Sequence, residues 1–479
     1  MARAVNRMEK GMSDMRMRMI GTMAVLMLGG VSASHAAAPA NVRAEARAIL
    51  DQVIAIPTQI GEAKVPVMAQ ALADRFLAAG FPADDIHVLP SGETASLVVR
   101  YRGNGKGGKP ILVIAHMDVV TAKPQDWERD PFKLVEENGY FFGRGTMDVK
   151  GEIALITATF LRLKAEKFVP SRDLIIAFSG DEETSMDTAR ELASKYRELT
   201  DAEFALNGDG GGGSLDEATG QPRYYELQGA EKSYASFSLT AHNPGGHSSQ
   251  PRPDNAIYDL AAALTKLQGF AFPVMWNDWT VGNFAAAAPV TPGELGKAMA
   301  QFAANPGDAA AAAELSKESS LVGRVRTTCV ATMLQGGHAD NALPQSAMAT
   351  VNCRIFPGMS VDTVRTTLQG VVGDTIEVAV LGTPHDSPPS PLRKDVQAAV
   401  AKAVHASYPG VPIVPDQAPY ATDGSIFRAA GIPTYGVSSL FMKPADEFAH
   451  GLNERVPVAS FYAGLDHWYV LLTTLAGKK

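Results

Sequence analysis

Apolar residues recur at three- and four-residue intervals over residues 42–55 and 65–79, the stripe that an amphipathic helix buries. Residues 95–101 then read as a strand, and a Gly/Lys turn at 103–109 leads into Pro110-Ile-Leu-Val-Ile-Ala-His116. Consecutive apolar positions ending on a polar group predict a strand covered on both faces, as in α/β sheets. A second such strand is predicted at 173–179, after an amphipathic helix over 152–166. Helix, buried strand, helix, buried strand is the order of an α/β layered core.

The pattern changes near Gly229. Residues 233–241, 326–334 and 346–356 alternate apolar with polar, as half-solvated antiparallel strands do. Helical periodicity covers 256–267 and 361–371, and 375–380 read as a further strand. The order β-α-β-β-α-β predicts a small α+β domain with helices over one face. Within it, residues 272–322 form an Ala-rich insertion carrying Trp276 and Trp279, read as helical. From Leu392 the α/β texture resumes, with a helix at 394–408, a strand at 433–438 and a helix in 457–475. The expected organisation is a larger α/β domain in two parts, 40–228 and 381–479, with a mixed, mostly parallel sheet between helices. A lid or dimerisation domain of α+β type, 229–380, is inserted between those parts.

Composition narrows the function classes. The 479 residues are 46% hydrophobic and 20% charged, which suits a packed core and excludes wholesale disorder. Two cysteines exclude a disulfide framework and a Cys-rich zinc module. They fall on two of the alternating strands, Cys329 and Cys353, and whether they pair stays open. A net charge of −8 argues against a nucleic-acid binder, which needs a basic stripe. That charge is uneven. Residues 1–36 carry +3, so the rest of the chain stands at −11, and eight of the 18 methionines also lie in this first stretch. Basic residues, the apolar run 19–28 and small residues up to Ala38 form the three regions of a cleavable signal peptide, residues 1–36. An uncleaved N-terminal anchor is the competing reading. No second run of about 18 apolar residues follows, so the processed chain is expected to be exported, periplasmic or secreted, without a membrane anchor.

Chemistry-bearing residues gather at predicted strand ends. His116-Met-Asp118 sets two polar groups on one side of an extended segment. Gly143-Arg-Gly-Thr-Met-Asp148-Val-Lys-Gly151 precedes a helix, and Asp181-Glu182-Glu183 follows the second buried strand. Asn207-Gly-Asp209-Gly-Gly-Gly-Gly213 reads as a loop too rich in glycine for a strand, and Glu447-Phe-Ala-His450 comes late. Ligand sites of open α/β sheets lie at the carboxyl ends of strands. Several carboxylates in one cleft repel one another unless a cation compensates them. Two histidines and three carboxylates suit Zn2+, with Co2+ or Mn2+ as alternatives. A bridging carboxylate with flanking ligands is the arrangement of two-metal hydrolases, in which one further acid serves as general base.

These motifs, with "GGHSSQP" and "NALPQSAMATVNCRIFPG", resemble the aminoacylase / glutamate carboxypeptidase / carboxypeptidase S family of di-zinc metallopeptidases over roughly residues 45–475. The resemblance implies that His116, Asp148 and Asp209 hold one zinc. It implies that Asp148, Glu183 and His450 hold the other, with Asp148 bridging. Glu182 would be the general base on the attacking water, and Asp118 would orient His116. His247 would stabilise the oxyanion, often from a partner subunit's lid, which implies a homodimer through that domain. Asn341 and Arg354 would bind the substrate's free carboxylate, for which a planar guanidinium is well shaped, and Gly424 would lie in a substrate-contacting loop. The implied activity is zinc-dependent hydrolysis of the amide bond in short peptides or N-acyl amino acids. An aminopeptidase or dipeptidase of the same fold is the alternative, and a non-catalytic exported binding protein the second. Asp181 is an extra acid without a role, and Asp209 stands where the family also uses Glu. Trp127 and Phe132 read as packing the loop between the first two clusters.

Overall fold

The computed structural model describes residues 37–477; the expected signal segment lies outside the described residues. In chain order the first strands are β1 (Ile86–Ser91), β2 (Thr94–Tyr101), β3 (Ile111–His116), β4 (Val135–Glu137), β5 (Tyr140–Phe142), β6 (Leu174–Ser179) and β7 (Phe204–Asn207). Next come β8 (Gly212–Leu215), β9 (Pro222–Glu231), β10 (Ser233–His242), β11 (Gly246–His247), β12 (Thr328–Gly336), β13 (Ala342–Leu343), β14 (Ser346–Ile355) and β15 (Ile376–Leu381). The last are β16 (Ile413–Ala418), β17 (Thr434–Gly436), β18 (Phe441–Met442) and β19 (Arg455–Pro457).

Ten of these strands make a mixed sheet in the order β1-β2-β6-β3-β7-β17-β9-β8-β18, with β16 also on β9. β3 runs parallel to β6 on one side and β7 on the other. Every residue of β3 and β6 is buried, as expected for strands covered on both faces. The helices Ala40–Ile54, Lys150–Ala165, Lys394–Ser407 and Val458–Leu475 supply much of the main apolar core, including Ile49, Ile153, Val400 and Leu471. The fold is therefore α/β, with a large sheet between helices.

A second sheet, β12-β14-β10-β15, is antiparallel throughout. With the helices Ala256–Gly269 and Val361–Val372 it encloses its own core around Phe237, Val351 and Leu368. β9 and β10 are separated only by Lys232, so the chain passes from one sheet to the other within a single residue. Cys329 faces Cys353 in the β12–β14 register, and the two form a disulfide.

Three features depart from the sequence expectation. The glycine run is not all loop, because Gly212 and Gly213 begin β8. A Cβ on Gly213 would come within 2.2 Å of the Phe441 ring, so β8 can pass there only without a side chain. The 272–322 segment is helical as expected, but its Asp278–Ala287 helix packs on β16 and β9 of the large sheet. Trp279 is the anchor: buried in the main core, it donates through Nε1 to the Ser390 carbonyl at 2.7 Å. β16, with a proline and an aspartate inside it, shows no apolar alternation.

Candidate metal centre

Parallel neighbours put their carboxyl ends on one edge, so β3, β6 and β7 deliver His116, the Asp181–Glu183 turn and Asp209 together. Asp148 arrives just before the Lys150–Ala165 helix, and His450 from the loop after β18. All of the sequence-predicted ligands converge. His116 Nε2 lies 3.0 Å from Asp148 Oδ1 and 3.8 Å from Asp209 Oδ2. His450 Nε2 lies 3.0 Å from both Asp148 Oδ2 and Glu183 Oε1. Each oxygen of Asp148 thus faces a different histidine. Donor atoms of His116, Asp148 and Glu183 lie within 4.8 Å of one another, and so do those of His116, Glu182 and Asp209.

Asp118 ties two parts of the cluster. Its carboxylate lies 3.4 Å from His116 Nδ1 and accepts the backbone N–H groups of Glu182 and Glu183 at 3.1 and 3.0 Å. Asp181, the acid without a sequence role, is structural. It accepts the backbone N–H groups of Asp187 and Thr188 and both the Ser185 and Thr188 hydroxyls, capping the Asp187–Ala193 helix. Trp127 is buried beneath the Arg144 guanidinium, 5.0 Å from it, and packs this region as expected.

The electrostatics follow from several acids gathered around two histidines in a buried cleft. Burial holds Glu182 and Asp209 well above the usual carboxylate range, opposed in part by His116. Burial opposes charging of His116, but hydrogen bonds to Asp118 and Asp148 outweigh it and hold the imidazole well above its ordinary value. His450, between Asp148 and Glu183, is raised to about 10. Burial works to raise Asp148, but the two histidines pull it below the usual carboxylate range. Two imidazoles and four carboxylates fit a pair of divalent ions in both donor type and charge.

Glu454, absent from the sequence reading, supports the cluster from behind. It pairs with buried Arg144 at 2.7 Å and accepts the N–H groups of Gly145, Met147 and Asp148 at 3.1, 2.8 and 3.1 Å. Arg144 in turn donates to the His450 carbonyl at 3.2 Å. No local signal marks Glu454, because its partners are more than 300 residues away.

The four other expected site residues lie outside the cleft of about 560 Å³ that opens on the cluster. His247 and Asn341 are exposed on the second sheet's far loops, where β11 pairs with β13. Arg354, on β14, stacks over Tyr234 at 4.8 Å. Gly424, expected in a substrate-contacting loop, is buried at the start of the Asp423–Ala429 helix, where a Cβ would meet Thr422 and Glu231 at 3.1 and 3.2 Å. Its neighbour Thr422 lines the cleft instead.

A cleft of this donor composition at the carboxyl edge of such a sheet defines a metallohydrolase. The sequence profile of peptidase family M20/M25/M40 matches residues 112–474, and the chain belongs to that family. It is 29% identical over 369 residues to the N-fatty-acyl-amino acid synthase/hydrolase PM20D1 of Xenopus tropicalis, covering 75% of this chain and 71% of that protein. It is 26% identical over 397 residues to the probable carboxypeptidase S-like 2 of Dictyostelium discoideum, covering 79% and 74%. The M20 family metallo-carboxypeptidase Sso-CP2 from Sulfolobus solfataricus shares the fold at TM-score 0.66 and 17% identity, over 90% of this chain and 99% of that one. The Bacillus subtilis YXEP protein, a dinuclear metal binding peptidase from the M20 family, shares it at TM-score 0.58 and 13% identity, over 91% and 98%.

Proposed function

We propose that this protein is a zinc-dependent exopeptidase or N-acyl-amino-acid hydrolase whose substrates carry a free carboxylate. The observation that carries the reading is Asp148, set between two histidines with one oxygen toward each. His116, Asp148 and Asp209 would hold one cation, and Asp148, Glu183 and His450 the other. Two zinc ions there would acidify the attacking water and polarise the scissile carbonyl. Glu182 takes the proton of that water and delivers it to the leaving amine. Its carboxylate lies within 4.8 Å of donor atoms of His116 and Asp209, beside the proposed cation positions, where a base on that water must stand. Asp118 keeps His116 and the Glu182–Glu183 turn in register. Arg354 and Asn341 would take the substrate carboxylate and His247 the oxyanion. Since all three stand outside the cleft lining, they would act on movement of the second sheet or from the lid of a second copy. The N-terminal pattern supports export to the periplasm or medium.

The test is hydrolysis of N-acyl amino acids and dipeptides by zinc-loaded protein, with EDTA as control. The wild type should be active and should lose activity to EDTA. Glu182→Ala should retain zinc, measured by elemental analysis, and lose about 10²–10⁴-fold in kcat. Undiminished turnover by that variant sinks the base assignment.

A further inference from the structure

The cleft continues past the metal centre to a wall that the proposed chemistry leaves unused. Its lining takes in the glycine run up to Gly213 together with Tyr224, Glu226, Tyr420 and Glu447. β9 sets Tyr224 and Glu226 on one face, two residues apart. The β8 register places Gly212 opposite Glu226, so no side chain from β8 covers that carboxylate. Arg324, from the segment after the inserted helices, reaches this wall but is already paired with Asp416 of β16. Six carboxylates line the cleft among the described residues, and no Lys or Arg does. Two divalent cations would offset the charge of Asp148, Glu182, Glu183 and Asp209, leaving Glu226 and Glu447 uncompensated. Burial, then the neighbouring Asp416, pushes Glu226 up to about 8 against the opposing pull of Arg324, and burial raises Glu447. Arg324, shared with Asp416, therefore offsets only part of the burial at Glu226, and no Lys or Arg lines the cleft beside Glu447. The groups proposed to hold the substrate carboxylate lie outside this cleft, which leaves the wall free for the acyl half of the substrate.

Resting on the hydrolase reading above, we infer that Glu226, assisted by Glu447, determines specificity by receiving an amino group on the acyl half of the substrate. The chain would then prefer aminoacyl or basic acyl groups to neutral aliphatic ones of equal length, and would reject anionic ones. An ammonium received by half-buried Glu226, with exposed Glu447 on the same cleft, makes charge-assisted hydrogen bonds that a methyl group cannot.

The test uses zinc-loaded protein and one amino acid acylated with 6-aminohexanoyl, hexanoyl or adipoyl. The expected kcat/KM order is 6-aminohexanoyl, hexanoyl, adipoyl, with about tenfold between the first two. Glu226→Gln should bring that ratio to within about twofold of one, and Glu447→Gln should lower it partway. Because the ratio is read within each variant, a general loss of folded protein does not imitate the effect. Hexanoyl cleaved as fast as 6-aminohexanoyl by the wild type, or a ratio unchanged in Glu226→Gln, overturns the inference and leaves the hydrolase reading standing. Cleavage of none of the three overturns that reading, and the inference with it.

Discussion

Glu454 builds a site it does not line: one buried carboxylate fixes the backbone that carries Asp148 and, through Arg144, the carbonyl of His450. The seven groups of the cluster were legible in the sequence because their chemistry travels in short motifs with fixed spacing. Glu454 and Glu226 were not, since only the fold brings them to their partners. The same scale carries a pH prediction. His450 is favoured in its charged form when folded, so its stabilising contacts are complete below the unfolded value of about 6.5. They are lost as pH rises toward about 10. Metal-free protein should therefore lose stability across that window, while metal-loaded protein should not. Both imidazoles must shed protons to coordinate. Zinc binding at pH 7 should thus release about two protons from the imidazoles, with a further release from Asp209, read by calorimetry in buffers of differing ionisation enthalpy. Release of none would contradict the ligand assignment of His116 and His450.

Among elements, the apolar strands and amphipathic helices were predictable because burial repeats at their own periods. β8 was hidden because its glycines serve the close approach of Phe441 rather than strand propensity. The docking of the inserted helices was hidden because one tryptophan carries it. Trp279 fits against Gly229, where a Cβ would lie 1.8 Å from the indole. Trp279→Ala should cost about 3–5 kcal/mol in urea denaturation. It should also loosen Arg324 from the cleft wall, because the inserted helices that Trp279 anchors run directly into Arg324. A loss below about 1 kcal/mol would show that the helices do not depend on this anchor.

At the scale of the whole molecule, the change of periodicity near Gly229 falls three residues before Lys232, where the chain leaves the large sheet for the second one. What lies across the open edge of the second sheet was not legible in the sequence. β12 pairs only with β14 among the described residues, and Val330, Met333 and Leu334 on it are 59%, 59% and 69% exposed. Uncovered apolar edge strands invite pairing with another chain. Light scattering should give two chains per particle, and Leu334→Arg should give one; a monomeric wild type would exclude this edge as the interface. The single-residue link at Lys232 has a mechanical consequence. β10 and β12 begin, and β14 and β15 end, on the same side of the second sheet, whereas His247 and Asn341 stand at the opposite one. The sheet is thus a lever with its fulcrum at one end. Ten residues of β10 span roughly 30 Å, so a rotation of about 20° at the fulcrum sweeps the His247 end through about 10 Å.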